Sequence, residues 1–366
     1  MCLLVSGYFD YEPQRPSIPK TNRRPALPPS QKDSHSSSHA QTEINGRALI
    51  WDKLKREGLN NELIKIMFKS WRQTTLNSYY VYINKWIAFC ERKNFNPKER
   101  HLIQGLDFLR HLLKNNHSYS ALNTARSALS NIFDGPPFGE DPLVIRFMKS
   151  AYTINPAIPK YHNTWDVAVV LKFLEKWSPS RFLSRKQLTF KLVTLLALVS
   201  GQRVQTLEAF NINHCHFDNT CATFSINKLL KHNSAKHKDN HIIIPYYTDN
   251  KKICPVSCLK QYIKRTKKER NSSQLFISLQ APYNKVSKST ISRWIKLTLT
   301  EAGVDTDIYK SHSTRAASTS AAAKSIDISL IMKAGSWTRA ATFGRYYNKS
   351  IEDDRPTFGK AVLKRL

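Results

Sequence analysis

The chain has 366 residues, 41% of them hydrophobic, which is enough for a sizeable core and sets a length prior of two domains, or one large domain with a tail. Lys and Arg outnumber Asp and Glu by 57 to 27, a formal net charge of +30, and the excess runs along the whole chain. A charge that large and that dispersed points to a polyanion bound over a long surface. No apolar run approaches the roughly 20 residues of a membrane span, and no basic amphipathic helix with a clean apolar face appears. The apolar start Cys2-Leu3-Leu4-Val5 is too short for the apolar region of a signal peptide. The expectation is a soluble intracellular protein.

Residues 1–46 are rich in Pro, Ser, His, Asn and Gln without apolar period, the composition of a disordered tail. A helical pattern follows, with Leu49, Ile50 and Leu54, then Leu63, Ile64, Met67, Phe68 and Trp71. Thr74 or Thr75 is placed to cap a long helix in which Leu76, Tyr79, Tyr80, Ile83, Trp86, Ile87 and Cys90 recur at three and four, closed by Pro97. Helices over 103–115 and 120–133 complete a helical domain at 47–134. On its polar faces Asn77, Lys85, Asn123, Arg126 and Ser127 are donors of the kind that contact phosphates and base edges; Asn77, Asn123 and Arg126 are the candidates for DNA contact.

Residues 135–163 hold five prolines and one short helix-like piece at 144–152, which reads as a linker. A second domain at 164–366 begins with Thr164 as a plausible cap for a helix over 165–177. A strongly apolar helix at 187–200 stops at Gly201. Strand-like pieces follow at Phe217, 222–226 and 241–247, and the cationic segment 228–238 between them reads as a hairpin loop. The remainder is again helical. Lys288, Arg293 and Lys296 lie along one side of a segment at 289–300, and Ser289, Arg293 and Lys296 are its candidates for facing DNA. The fold class is mainly α with a small antiparallel β-sheet.

Six cysteines at 2, 90, 215, 221, 254 and 258 form neither a disulfide framework nor a zinc-finger spacing. The cluster His214, Cys215, His216 and Cys221 reads better as a turn entering a strand than as a metal site. No metal and no cofactor is expected.

The chemistry concentrates near the C-terminal end. His312 and Arg315 stand three apart in the first turn of a helix, with Ser311 or Ser313 as its cap, so both sit near the positive end where an anion is held. Trp337 and the adjacent Tyr346 and Tyr347 follow. Breaking a DNA phosphodiester requires charge stabilisation on two nonbridging oxygens, a nucleophile, and a proton for the departing 5′ oxygen. Arg203 and Arg315 could clamp one phosphate with planar, permanently charged forks. Tyrosine, with a free pKa of about 10, becomes a nucleophile when cationic donors favour its phenolate. A lysine on a loop can supply the proton.

The stretch 198–207, Leu-Val-Ser-Gly-Gln-Arg-Val-Gln-Thr-Leu, resembles the first-arginine box of the tyrosine recombinase (phage integrase) family. His312-x-x-Arg315, Trp337 and a terminal Tyr resemble its second box, and order and spacing both match. The likeness runs from about Trp71 to Tyr347. Segments 119–130, 160–167, 229–231 and 337–347 look closer still to the eukaryotic mobile-element branch, the recombinases of DIRS-like and Ngaro-like retrotransposons and of Crypton elements. The resemblance implies a helical core-binding domain (SAM-like) and a catalytic domain clamped around double-stranded DNA, a homotetramer on two DNA sites, a 3′-phosphotyrosyl intermediate, strand exchange through a Holliday junction, no cofactor, and a nuclear location. It assigns the scissile phosphate to Arg203 and Arg315, and proton handling and phosphate binding to His312. Trp337 stands where much of the family has His. For the general acid Lys231 is preferred over Lys228, with Lys236 third. For the nucleophile, a nine-residue spacing from Trp337 selects Tyr346, whereas the Phe-x-x-aromatic-Tyr ending of the mobile-element branch selects Tyr347, which is favoured. Thr206 lies where many members carry an acid. The alternative reading is a domesticated DNA-binding protein of the same descent that no longer turns over.

Overall fold

The computed structural model of the chain describes residues 45–156, 161–228 and 241–335, and beyond these residues 337, 340, 343, 344, 347, 349–351 and 363. The chain divides into two compact units near residue 157.

The first unit is helical: α1 (Gly46–Arg56), α2 (Asn61–Phe68), α3 (Gln73–Lys93), α4 (Leu102–Lys114), α5 (Tyr119–Ser130) and α6 (Pro142–Ile154). Its centre is Trp86, fully buried among Phe89, Phe95, Phe108 and Phe133. The indole N–H donates to the Pro97 carbonyl at 3.1 Å, so the ring is buried without an orphaned donor. Neither Thr74 nor Thr75 caps α3; the cap position is held by Arg72, two residues before Thr74.

The segment expected to be a linker differs most from its sequence reading. Phe138 is fully buried, so close to Gly105 that a Cβ there would lie 2.6 Å from the phenyl ring. Then α6 adds Val144, Met148 and Ala151 to the core of this unit. Proline density misled because Pro142 occupies the first turn of α6, where its missing N–H costs nothing, and Asp141 caps it by accepting from Leu143 N at 2.9 Å.

The second unit contains α7 (Val167–Lys176), α8 (Arg185–Ser200), α9 (Val204–Glu208), three strands, α10 (Pro255–Thr266), α11 (Lys288–Glu301), α12 (Ser313–Ala322) and α13 (Ile328–Ala334). The cap of α7 is Asp166, not Thr164. The strands β1 (Cys215–Phe217), β2 (Cys221–Ser225) and β3 (His241–Pro245) form an antiparallel sheet in the order β1-β2-β3. Register sets Phe224 opposite Cys215 and Ile242, so that Ala222, Phe224, Ile242 and Ile244 share the buried face. The segment expected as a hairpin loop joins β2 to β3; residues 229–240 lie outside the described residues.

Helix α8 is the axis of this unit. Ser184 and Gln187 form a capping box at its start, and Gly201, at φ +56°, ends it in a left-handed turn. Between these ends it is buried on every side, touching α10, α11, α12 and β3. Even Lys191 is enclosed, its ammonium donating to the Trp177 carbonyl, and burial lowers its pKa from the ordinary lysine value. Among the described residues no helix is long and apolar enough to cross a membrane.

Candidate functional site

Gly201 turns the chain out of α8 and presents Arg203 as the cap residue of α9. At the other side α12 begins. Its cap position is held by His312, and neither Ser311 nor Ser313 caps it, because both hydroxyls are engaged elsewhere. Ser311 Oγ meets Ser292 Oγ of α11, and Ser313 Oγ accepts from the Trp165 indole at 2.9 Å. These two bonds fasten the start of α12 and so aim its first turn. Arg203, His312, Arg315 and Tyr347 then line one cleft of about 440 Å³, together with Gln202, Lys288, Ser289, Ser292 and Thr314.

Within the cleft His312 is exposed and Arg315 is buried, 3% accessible. The Arg315 guanidinium lies over the Trp337 ring at 3.7 Å and 5.2 Å from the centre of the Tyr347 ring. Its Nη2 donates to the Gly335 carbonyl at 2.5 Å. Nε and Nη1 of Arg315, Nη1 of Arg203 and Nε1 of Trp337 are buried donors with no protein acceptor. Buried donors are nearly always paired in a folded protein. Burial, and next to it the Arg203 charge, pull the pKa of Arg315 below the ordinary guanidinium value, while the Tyr347 phenol acts in the opposite direction. Two like charges and three unpaired N–H groups beside an indole N–H is an arrangement that an anion completes.

Tyr347 is held through its backbone. Its carbonyl accepts from Thr319 Oγ1 at 3.1 Å and Ser320 Oγ at 2.9 Å, both on α12, and its ring centre stands 4.8 Å from that of Trp337. Gly335 is the other support of the indole. A Cβ at this position would fall 1.7 Å from Trp337 Cζ3, so no other residue fits without moving the ring. Gly335→Ala is therefore expected to destabilise the protein by about 1–3 kcal/mol, read by thermal unfolding; a melting temperature equal to that of the wild type would show that the indole can move aside.

The other sequence candidates divide between the cleft and other surfaces. Ser289 lines the cleft from the first turn of α11, whereas Arg293, exposed, and Lys296, half-buried, do not. Asn123 lines a separate hollow in the helical unit with Thr74, Thr75, Ser78, Tyr79, Thr124 and Ser127. Asn77 is exposed and accepts from Gln73 Nε2 at 2.8 Å, and Arg126 is half-buried beside Gly139. Lys228 is exposed just beyond β2; Lys231, Lys236 and Tyr346 lie outside the described residues. Sequence reasoning missed Gln202, which lines the cleft, and Trp165, which fastens Ser313. The local signal was their place inside the 198–207 box and the 160–167 stretch. Among the described residues no three His, Cys, Asp or Glu side chains gather as metal ligands would; Cys221 instead donates its thiol to Asp218.

A mainly helical fold with a three-stranded antiparallel sheet is that of the tyrosine recombinases. The family model described as the phage integrase family matches residues 167–353, just over half of the chain, and the chain belongs to that family. Among solved structures it is similar to the XerH site-specific recombinase bound to palindromic difH substrate in a post-cleavage complex, at 16% identity and a TM-score of 0.55, over 90% of this chain and 90% of that one. It is similar also to the Tn1549 transposon integrase in complex with transposon right end DNA, at 12% identity and a TM-score of 0.52, over 88% of this chain and 99% of that one. A search of curated protein sequences finds no match.

Proposed function

We propose that this protein is a site-specific DNA recombinase that cleaves and rejoins strands through a 3′-phosphotyrosyl intermediate, serving the integration of a mobile element of the DIRS-like, Ngaro-like or Crypton kind. The observation that carries the reading is the set of unpaired buried donors on Arg203, Arg315 and Trp337 gathered beside the Tyr347 ring. In this reading the two guanidiniums hold the nonbridging oxygens of the scissile phosphate and stabilise the charge of the pentacoordinate transition state. The Tyr347 oxygen attacks phosphorus, the P–O5′ bond breaks, and Lys231 gives the leaving oxygen its proton while His312 handles the proton of the phenol. The phosphotyrosyl bond conserves the energy of the diester, so a 5′-hydroxyl from another strand can reverse the step without a cofactor. The family likeness and the charge of +30 support double-stranded DNA as the partner, a homotetramer on two sites, and a nuclear location.

Incubation with a pool of randomised, nicked duplexes tests the reading, because a nick beside the cleaved bond lets the short product diffuse away and traps the intermediate. A detergent-stable protein–DNA adduct is expected. Tight DNA binding that never yields an adduct would instead favour the catalytically silent DNA-binding protein. Binding itself should be strongly salt-dependent. If six to ten phosphates are neutralised, affinity falls by roughly 10³ to 10⁵ between about 50 and 200 mM salt; a flat response in a titration over that range would remove DNA as the partner.

A further inference from the structure

Arg203 lines the cleft and Trp337 backs it beneath Arg315, from segments far apart in sequence, and one buried carboxamide links those segments. Gln202 is 3% exposed. Its Nε2 donates to the Ala334 carbonyl at 2.8 Å, and its Oε1 accepts from Thr206 Oγ1 at 3.3 Å. Both ends of the amide are used, which fixes its orientation. The next carbonyl along, that of Gly335, is the one that accepts from Arg315. Two consecutive carbonyls of the turn before Trp337 are thus gripped by residues 202 and 315. The indole rests on that turn and faces the guanidinium.

We propose that Gln202 is a positioning residue for strand cleavage, registering Trp337 against Arg203, with Thr206 fixing its amide. The proposal rests on the recombinase reading. Thr206 stands where many family members carry an acid, and in this chain it serves Arg203 at one remove, through its neighbour. A side chain of equal volume without hydrogen bonds would fill the same space yet leave the Ala334 carbonyl unpaired and the turn free to shift. Gln202 works through one backbone carbonyl, so its loss should act on the rate and not on DNA affinity. Displacing a reacting group by about 1 Å can cost on the order of 10²-fold in rate.

The test uses the full chain labelled with 5-fluorotryptophan, in wild-type form and as Gln202→Met, Thr206→Ser and Trp337→Phe. The last identifies the fluorine resonance of Trp337. Gln202→Met should slow adduct formation at saturating DNA by about 10²-fold, leave DNA affinity within about twofold, and shift the Trp337 resonance while the other six stay in place. Thr206→Ser, which keeps the hydroxyl, should react like the wild type. An unmoved Trp337 resonance in Gln202→Met overturns the proposal, as does a parallel loss of rate and affinity with all resonances displaced, the mark of a general structural role. Absence of any adduct with the wild-type chain would sink the recombinase reading, and the cleavage role with it.

Discussion

Arg315→Met is expected to abolish adduct formation and, at the same time, to raise the melting temperature of the DNA-free protein. Loss of one preorganised donor to a transition-state oxyanion costs roughly 10²–10³ in rate, and Arg315 offers two unpaired N–H groups. Its removal also takes away the surface on which Trp337 rests. Arg315→Lys should not rescue the reaction, since an ammonium reproduces neither the planar fork nor the stacking. Stability moves the other way. The guanidinium is buried near Arg203, and replacing buried charge by a well-packed apolar side chain is often neutral or stabilising by about 1–4 kcal/mol. The pH dependence follows from the direction of the shift. A base whose pKa is lowered by folding holds its proton less tightly in the folded state, so the cost of the charge is fully present below the folded pKa and fades as pH climbs toward the ordinary guanidinium value. The stability gap between variant and wild type should then be constant around neutrality and narrow only in the alkaline range. A variant that cleaves at the wild-type rate would remove Arg315 from the reaction; one that melts lower would show that the stacking outweighs the buried charge.

Tyr347→Phe is the second large effect. The phenyl ring retains the contacts with Trp337 and Arg315, and the backbone bonds from Thr319 and Ser320 do not involve the side chain. Folding and DNA affinity should therefore match the wild type. Adduct formation should fall by at least about 10⁴-fold, the scale on which loss of a covalent nucleophile is felt. Tyr346→Phe should leave the adduct in place. The reverse pattern, an adduct lost only in Tyr346→Phe, would transfer the nucleophile to the neighbouring residue and leave Tyr347 as part of the stack beneath the phosphate.

What local pattern could convey, it conveyed. The apolar run at 187–200 and the glycine after it specify α8 and its end, because both signals sit within a few residues of one another. The alternating face of 222–226 specifies β2 in the same way. Errors arose where local signals compete. Prolines 136, 137 and 142 suggested a linker, yet Phe138 and α6 join the core of the helical unit through tertiary contacts, Phe138 against Phe133 and against Gly105 on α4. Ser311 and Ser313 suggested a cap for α12, but tertiary partners on α11 and at Trp165 take both hydroxyls. At the site, the arginines, Trp337 and Tyr347 were legible as residue types in an order. The bond from Gln202 to Ala334 was not, since its ends are 132 residues apart and no periodicity links them.

The burial of α8 has a consequence for how the cleft comes apart. Arg203 stands three residues past a helix with twelve of its sixteen residues buried, and α12, which carries Arg315, packs against that helix. Trp337 instead belongs to a small cluster of its own, with Ile331 and Phe343, and α13 contributes a single buried residue. Opening free energy follows the apolar area an element buries. Amide protons of α8 should therefore exchange with solvent only when the whole unit unfolds, whereas those of α13 exchange through a cheaper local opening. The support beneath the indole can open while the helix that leads to Arg203 keeps its shape.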